Sequence, residues 1–496
     1  MKNTLKKERI SVIQIMNSIK DYFNLKNDLF IENIMVDSRN KLDKAIFFCL
    51  VGLTVDGHSF IDKAIENGAI CIVHSEDINK KEGITYIKVD DTTKALNDFA
   101  NYFYNYPSKN MKIFGVTGTN GKTTTTYVLY DLLNRLNYKA GYIGTLGYEY
   151  DNQMHDQYFT TPNINDLHMM LKQMVDADCK AASIEVSSQG LDLHRTDSVD
   201  FDVAIFTNLT HDHLDYHKNY ENYFKAKARL FNNMKKDGVS CINVDDEYGK
   251  KMINESNCRV VTYGIDNNAD YKANDLKLYA DHSEFVLNFN NNSYNIYTNL
   301  VAKFNISNLL AAISALVESG FDINEIIPLL KDIKDVPGRC MHINEGQDYN
   351  VIVDYAHTPD GFIKILDYAK AITPIDKKIA VVFGLRGSGD REKRPICGEI
   401  VDKYCDEIYI TNDDNHEEDI NSILDGIESG IKNHKAYRFE HRQDAIDAAI
   451  KNMQKGNTLC ILSKGVETFV KENHKKLPYD GDHIIASRAI KKYMIK

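Results

Sequence analysis

Tryptophan is absent from the 496 residues, positive charge is in deficit (60 Lys and Arg against 71 Asp and Glu, a net −11), and no stretch stays apolar for long. The missing tryptophan is compositional bias and excludes nothing. The lack of a long apolar run excludes a helix that spans a bilayer. The first 25 residues mix charge (Lys6, Lys7, Glu8, Arg9) with short apolar pieces such as Ile10 to Ile15, so no signal-peptide core is expected and the chain is expected in the cytoplasm, without a membrane partner. The charge deficit argues against a nucleic-acid partner, because phosphate-backbone binding rests on Lys and Arg. Anionic ligands must therefore be met by a few local groups. Nine cysteines (Cys49, Cys71, Cys179, Cys241, Cys258, Cys340, Cys397, Cys405 and Cys460) lack any paired metal-ligand spacing, which predicts reduced core thiols. Internal repeats and low-complexity tracts are also missing.

What is present is a globular composition, 43% hydrophobic and 26% charged, on a chain too long for one core. At roughly 150 residues per domain, about three domains are expected. Short β-branched runs alternate with helix-like stretches, the pattern of α/β units with parallel sheets. Expected strands are Lys112 to Val116, Ala182 to Val186, Val203 to Asn208, Val239 to Val244, Val351 to Val353, Ile379 to Phe383, Glu407 to Ile410 and Thr458 to Leu462. Pro107-Ser108-Lys109-Asn110 and Val336-Pro337-Gly338 read as breaks. They divide the chain into a small α/β domain (1–108), a central parallel-sheet domain (109–337), which the segment Gly118-Thr-Asn-Gly121-Lys122-Thr123 marks as an expected P-loop ATPase domain, and a C-terminal Rossmann-like α/β domain (338–496). The Asn288 to Ser293 cluster reads as a hairpin or an exposed turn. Ligands of open parallel sheets gather beyond the carboxyl ends of strands, so the residues just after each run are the first candidates for chemistry.

The strongest local signal is Gly115-Val-Thr-Gly118-Thr119-Asn120-Gly121-Lys122-Thr123-Thr124-Thr125, between an apolar strand and the helical run Tyr127 to Leu136. Glycines let backbone N–H groups approach phosphate oxygens, the helix N-terminus adds a favourable dipole, Lys122 supplies a cation and Thr123 a hydroxyl for Mg2+. Gly118 through Thr124 thus form a candidate ATP cradle, one residue displaced from the strict Walker spacing. Farther on, Glu185-Val-Ser187-Ser188 ends one strand, and Thr207-Asn-Leu-Thr-His-Asp212-His213-Leu-Asp215 follows another, on the same sheet edge. A carboxylate beside a threonine hydroxyl suits magnesium, which prefers oxygen ligands.

The segment Thr-Gly-Thr-Asn-Gly-Lys-Thr resembles the signature of the Mur ligases and their folylpolyglutamate synthetase relatives. The resemblance implies that Thr123, Glu185 and His213 hold Mg2+. It also implies that Lys227, in Phe224-Lys-Ala-Lys227-Ala-Arg, is the carbamylated lysine, and that Lys122, Glu185, His213 and Lys227 form the catalytic set. Asn305 and Asn308, three apart on a helix, would approach adenine. Arg339 would offset phosphate charge, and Asp354, in Asp354-Tyr-Ala-His-Thr-Pro-Asp360, would accept ribose hydroxyls. Asp37-Ser38-Arg39 and Asp56-Gly57-His58 resemble the nucleotide-sugar-binding domain of the branch that extends a UDP-muramyl dipeptide by a free amino acid, with Ser38 and Arg39 as substrate contacts. Thr160, Thr161, Ser187 and Arg195 would meet the muramyl peptide.

The amino-acid end departs from the family. Members that add diaminopimelate carry Asp-Asn-Pro-Arg, whereas this chain has Asp413-Asp414-Asn415-His416, and Lys-Gly-His-Glu is Lys464-Gly465-Val466-Glu467. Diaminopimelate is therefore not assumed; Asp413, Asn415 and Glu467 are candidate contacts, and the acids would suit a cationic amino acid such as lysine or ornithine. His211 and Gln189 also replace common family residues. The expected activity is ATP-driven addition of the third amino acid to the UDP-muramyl dipeptide through an acyl phosphate. Another Mur ligase, a folylpolyglutamate synthetase-like ligase and a nucleotide-binding paralogue without catalysis remain alternatives.

Overall fold

A computed structural model describes residues 17–52, 55–473 and 475–494. The Lys6 to Ile15 stretch and the Leu53-Thr54 pair of the Gly52 to His58 element lie outside the described residues. The described residues form two compact units: one comprises those within 1–111, 161–178 and 190–200, and the other those within 112–160, 179–189 and 201–496.

The first unit is built on four parallel strands in the order Asn33–Met35, Ala45–Phe48, Ala69–His74, Thr85–Lys88. Ala45–Phe48 is buried at every position, as befits an inner strand covered on both faces. Helix Thr92–Phe103 starts on Asp91, whose carboxylate accepts from the Thr93 and Lys94 amides. It buries Leu96, Phe99, Ala100 and Phe103.

Besides a two-stranded ribbon of Phe469–Glu472 and Lys475–Pro478, the second unit holds two main sheets. The larger has eleven strands, and its parallel part runs Ala140–Gly144, Ala181–Glu185, Lys112–Thr117, Phe201–Phe206, Met234–Asn243, Arg259–Gly264, Tyr271–Leu278. Strand Lys112–Thr117 is central and nearly all buried, and at Gly115 a Cβ would strike the Phe201 ring at 2.7 Å. Helix Lys122–Arg135 packs on this sheet and begins five residues before the expected Tyr127. Its threonines are poor helix formers, yet Thr123 to Thr126 are buried, so tertiary packing decides their conformation. The asparagine cluster does make a hairpin: Ser283–Phe289 pairs with Asn292–Thr298. Asn290 and Asn291 both take positive φ, 50° and 61°, as a two-residue turn between twisted strands requires.

The smaller sheet runs Met341–His342, Asn350–Asp354, Thr458–Leu462, Ile379–Phe383, Glu407–Ile410, Ala436–Arg438, parallel except for its first pair. Among the described residues, no helix is long and apolar enough to cross a membrane. All nine cysteines are free thiols and eight are buried.

Candidate active site

The loop from Gly118 to Lys122 leaves the central strand in a conformation that only glycine takes without strain at two points: Gly118 has φ 152° and Gly121 φ 86°. Space demands glycine as well, since a Cβ on Gly118 would fall 1.8 Å from Thr207 Oγ1 and one on Gly121 2.3 Å from Asn308 Oδ1. The neighbouring strand end clamps the loop. The Thr119 amide donates to Asn208 O (2.8 Å), the Asn120 amide to Asn208 Oδ1 (2.9 Å), and Thr207 Oγ1 to Asn120 O (2.6 Å). Thr119 Oγ1 lies 3.1 Å from the Tyr223 hydroxyl and accepts from the Thr210 amide.

Two lysines converge on this loop. Lys122 Nζ donates to Gly118 O (2.9 Å) and Thr119 O (2.8 Å), and Lys227 Nζ to the same Gly118 O (2.8 Å). Neither meets a carboxylate at ion-pair distance among the described residues. Burial pushes the Lys122 amine below its ordinary value, against the pull of Glu185 and Asp212. Lys227 is driven down much further, first by burial and then by the Lys122 charge. It also packs on the Tyr223 ring, 4.5 Å from the centroid.

Glu185 ends its strand fully buried and fully hydrogen-bonded. Oε1 accepts from the Tyr142 hydroxyl (2.6 Å) and the Thr145 amide (2.9 Å), and Oε2 from Thr123 Oγ1 (3.0 Å) and Thr145 Oγ1 (3.1 Å). Tyr142, Thr145 and Gly144, where a Cβ would stand 2.2 Å from Oε1, were not foreseen. The usable signal was a Tyr-Ile-Gly-Thr segment closing a strand on the same edge. His213 caps a short helix at φ 54° and reaches Asp212 Oδ2 at 3.3 Å. Burial would raise Asp212, but His213, His357, Lys393 and Lys122 hold it at about 2. No three His, Cys, Asp or Glu side chains among the described residues converge as a ready-made metal cage. The oxygen pair Thr123 and Glu185 fits magnesium, which keeps waters and phosphate oxygens and needs only one or two protein ligands.

The C-terminal segment closes on this centre. Arg339 Nη2 donates to Thr123 Oγ1 (2.9 Å) and its guanidinium lies over Tyr355. Asn120 Nδ2 donates to Asp360 Oδ2 (2.8 Å), and His211 Nε2 is 2.9 Å from Asp390 Oδ2. Beside Arg339 opens a cavity of ≈ 450 Å³ whose lining includes Asn299, Val301, Asn305, Val336 and His342. Asn308, expected with Asn305, turns instead onto Gly121 and donates to Asn305 Oδ1 (3.2 Å). Asp354 already accepts from the Cys340 amide (2.6 Å) and the Ala356 amide (2.7 Å), holding the turn that carries Arg339.

At the amino-acid end, the acids expected to meet a cationic substrate converge on a cation of the chain itself. Lys464, with no exposed side-chain surface, has Nζ 2.6 Å from Asp414 Oδ1, 2.7 Å from Glu467 Oε2 and 3.4 Å from Asp413 Oδ1. Burial would lower this lysine, yet the three acids raise it well above its ordinary value. Asn415 is buried, and its Oδ1 has no hydrogen-bond partner among the described residues.

The remaining candidates are placed separately. Thr124 is buried in the first turn of the phosphate-loop helix. Thr160 Oγ1 lies 3.1 Å from Thr145 Oγ1, and half-buried Ser187 follows Glu185 by two residues. In the first unit, Arg195 Nη1 donates to Thr161 O (2.8 Å), buried Ser38 accepts through its carbonyl from Asn67 Nδ2 (2.7 Å), and exposed Arg39 pairs with Asp37.

Three family models match the chain: "Mur ligase family, catalytic domain" over residues 30–104, "Mur ligase middle domain" over 116–316 and "Mur ligase, glutamate ligase domain" over 338–465. Among similar curated proteins, the UDP-N-acetylmuramoyl-L-alanyl-D-glutamate--2,6-diaminopimelate ligase 1 of Clostridium acetobutylicum is 38% identical over 458 residues, 92% of this chain and 94% of that protein. The corresponding ligase of Clostridium botulinum is 37% identical over 476 residues, 95% and 98% of the two chains. A solved UDP-N-acetylmuramoyl-L-alanyl-D-glutamate--2,6-diaminopimelate ligase superposes with TM-score 0.69 at 26% identity, covering 97% of this chain and 99% of its own. A MurF ligase from Thermotoga maritima, solved with ADP, shares the fold at TM-score 0.65 and 18% identity, covering 93% and 98%.

Proposed function

Because the chain belongs to the Mur ligase family, we propose that it is the ATP-dependent ligase that adds the third amino acid to UDP-N-acetylmuramoyl-L-alanyl-D-glutamate. The observation that carries this is Lys122, held on Gly118 O at a helix N-terminus beside Lys227, with no carboxylate at ion-pair distance among the described residues. Positive charge of that kind favours an incoming polyanion. In this reading residues 1–108 take the UDP-muramyl end, 109–337 the nucleotide, and 338–496 the incoming amino acid.

A free carboxylate resists attack by an amine because its leaving group would be oxide, so transfer of the γ-phosphoryl group of ATP to the substrate carboxylate precedes amide formation. Lys122 and the loop amides would hold the phosphates against the charge of transfer. Arg339 adds a second cation from the C-terminal side, and the cavity beside it, polar at Asn305 and apolar at Val301 and Val336, suits a purine. Thr123, Glu185 and His213 would hold magnesium, which when bound offsets charge on the phosphoryl group. Lys227, whose amine burial drives well below its ordinary pKa, is suited to attack CO2 in its neutral form: a C–N bond forms, one proton leaves to solvent, and the neutral amine becomes an anionic carbamate. Arg394, Asn120 and His211, through Glu418, Asp360 and Asp390, hold the C-terminal loops in place around this centre and limit access of water to the acyl phosphate.

Phosphate release should be measured with ATP, magnesium and the UDP-muramyl dipeptide across a panel of amino acids, with and without bicarbonate. One amino acid should stimulate release strongly, and CO2-free buffer should slow it by roughly tenfold, the usual scale for losing a group that supports a metal site. A panel in which no amino acid stimulates release removes the ligase assignment.

A further inference from the structure

The segment Asp156 to Thr160 follows the hairpin of strands Gly147–Tyr150 and Gln153–His155. Two of its side chains tie it to the surroundings of Glu185, the carboxylate assigned to magnesium. Gln157 Nε2 donates to Gly144 O, and Thr160 Oγ1 lies 3.1 Å from Thr145 Oγ1. Thr145 in turn gives Glu185 two hydrogen bonds, one from its amide and one from its hydroxyl. Between these anchors the chain presents aromatic surface to solvent: Tyr158 is 83% exposed and Phe159 47%. Single exposed apolar side chains are ordinary. Two adjacent aromatic rings tethered beside a phosphoryl-transfer centre call for a use.

Tyr158 has a neighbour from far along the chain. Lys476 Nζ stands 5.5 Å from the Tyr158 ring centroid and 4.1 Å from that of Phe469. Lys476 is itself exposed and meets no carboxylate at ion-pair distance among the described residues. It sits on the ribbon of Phe469–Glu472 and Lys475–Pro478. That ribbon is fixed to the amino-acid end: Asp414 Oδ1 accepts from the Lys471 amide (2.9 Å), the Asn473 amide donates to His416 O (2.6 Å), and Lys464 Nζ lies 5.3 Å from the Phe469 centroid. A run of contacts therefore joins Glu185 to Lys464 through Thr145, the 157–160 segment, Tyr158, Lys476 and Phe469. Its weakest link is the ring of Tyr158 against Lys476, a cation–ring contact left mostly in water. A contact of that strength can break and re-form in every catalytic cycle, which is what a closing segment must do to admit substrate and release product.

Building on the ligase reading above, we infer that Asp156 to Thr160 is a strap beside the reacting carboxylate and that Tyr158 is its positioning residue, clasping Lys476 so that water is kept from the acyl phosphate until the amine attacks. The leak that the strap prevents is hydrolysis. Water oxygen bonds to the acyl carbon, the bond from that carbon to the phosphate oxygen breaks, and one proton stays with phosphate while the other goes to solvent. The dipeptide carboxylate returns unchanged and one ATP is lost.

The test measures phosphate released and amide formed in the same mixture of ATP, magnesium and UDP-muramyl dipeptide, with 2,6-diaminopimelate, L-lysine and L-ornithine supplied in parallel as the amine. The unaltered enzyme should release close to one phosphate per amide with the amine it uses. Tyr158→Ala and Lys476→Met should each raise that ratio roughly twofold to fivefold, the scale of one exposed cation–ring contact, with KM for ATP shifted less than roughly twofold. Tyr158→Phe and Lys476→Arg keep a ring and a cation, and should stay within roughly 1.5-fold of the parent. The double variant Tyr158→Ala/Lys476→Met should leak no more than either single variant, because both remove the same contact. Both side chains are exposed, so thermal unfolding should be unchanged in all of them. A ratio that stays at one in Tyr158→Ala and Lys476→Met overturns the strap while leaving the ligase reading intact. So do leaks that multiply in the double variant. Failure of every amine to yield amide with the unaltered enzyme removes both.

Discussion

The second unit holds two lysine clusters, and they treat positive charge in opposite ways. Around Gly118, Lys122 and Lys227 share backbone carbonyls, find no acid partner, and have depressed amine pKa values. Around Asp414, Lys464 is as buried as Lys227, whereas Lys122 is half-buried; Lys464 is surrounded by three carboxylates and raised. The first cluster is incomplete without an anion from outside, because an unpaired buried charge costs free energy until something neutralises it. The second is complete by itself and shapes its loops. A count of basic residues near a pocket would score the two alike; only the partners separate ligand-seeking charge from structural charge.

Removing the cation from the completed cluster should have the largest effect. Lys464→Met leaves Asp413, Asp414 and Glu467 facing one another without their counter-charge, which should cost about 3–5 kcal/mol. Hydrogen exchange of the 411–416 and 463–467 amides would report it as local opening. Protection that stays within about 1 kcal/mol of the parent would mean the acids find other partners, and the contrast between the clusters would fail. The matching change at the other end should spare stability and remove activity. Lys122→Ala should lower kcat by roughly a hundredfold to a thousandfold, the scale for losing one group that stabilises transition-state charge, while thermal stability holds or rises as an unpaired, half-buried cation disappears. Full turnover in that variant would overturn the phosphate site altogether.

The phosphate end was legible in the sequence because its parts are contiguous. Gly118 to Thr123 must adopt one loop, and the strands that carry Glu185 and His213 end on the same edge as any parallel sheet demands. The expected strands recur with small shifts: Ile379–Phe383, Glu407–Ile410 and Thr458–Leu462 match to the residue, while Met234–Asn243 begins five residues early through polar Lys235, Lys236 and Asp237. The amino-acid end was less legible because its contacts are remote in sequence. Lys464 lies 50 residues from Asp414, so local spacing does not show that the acids gather on it. The same distance hid Tyr142, which reaches Glu185 across 43 residues. Local spacing shows which groups a segment offers, and packing decides which of them remain available.

The smallest expected effects come from a matched pair of tyrosines. Each end has one tyrosine hydroxyl donating to a glutamate: Tyr142 to Glu185 (2.6 Å, both buried) and Tyr355 to Glu467 (3.1 Å). Tyr142→Phe removes a bond that water cannot replace and loosens the carboxylate assigned to magnesium, so kcat should fall by roughly tenfold, equivalent to about 1.4 kcal/mol. In Tyr355→Phe the Glu467 carboxylate keeps Lys464 and remains 28% exposed, so water can take the vacated position. The ring under Arg339 is retained, and stability should change by no more than about 1 kcal/mol, with kcat/KM for the amino acid within roughly threefold of the parent. Parallel titrations of amino acid and ATP on both variants would check this. A selective rise in KM for the amino acid in Tyr355→Phe would show that Glu467 serves the substrate as well as Lys464, and that the second cluster is less self-contained than its geometry indicates.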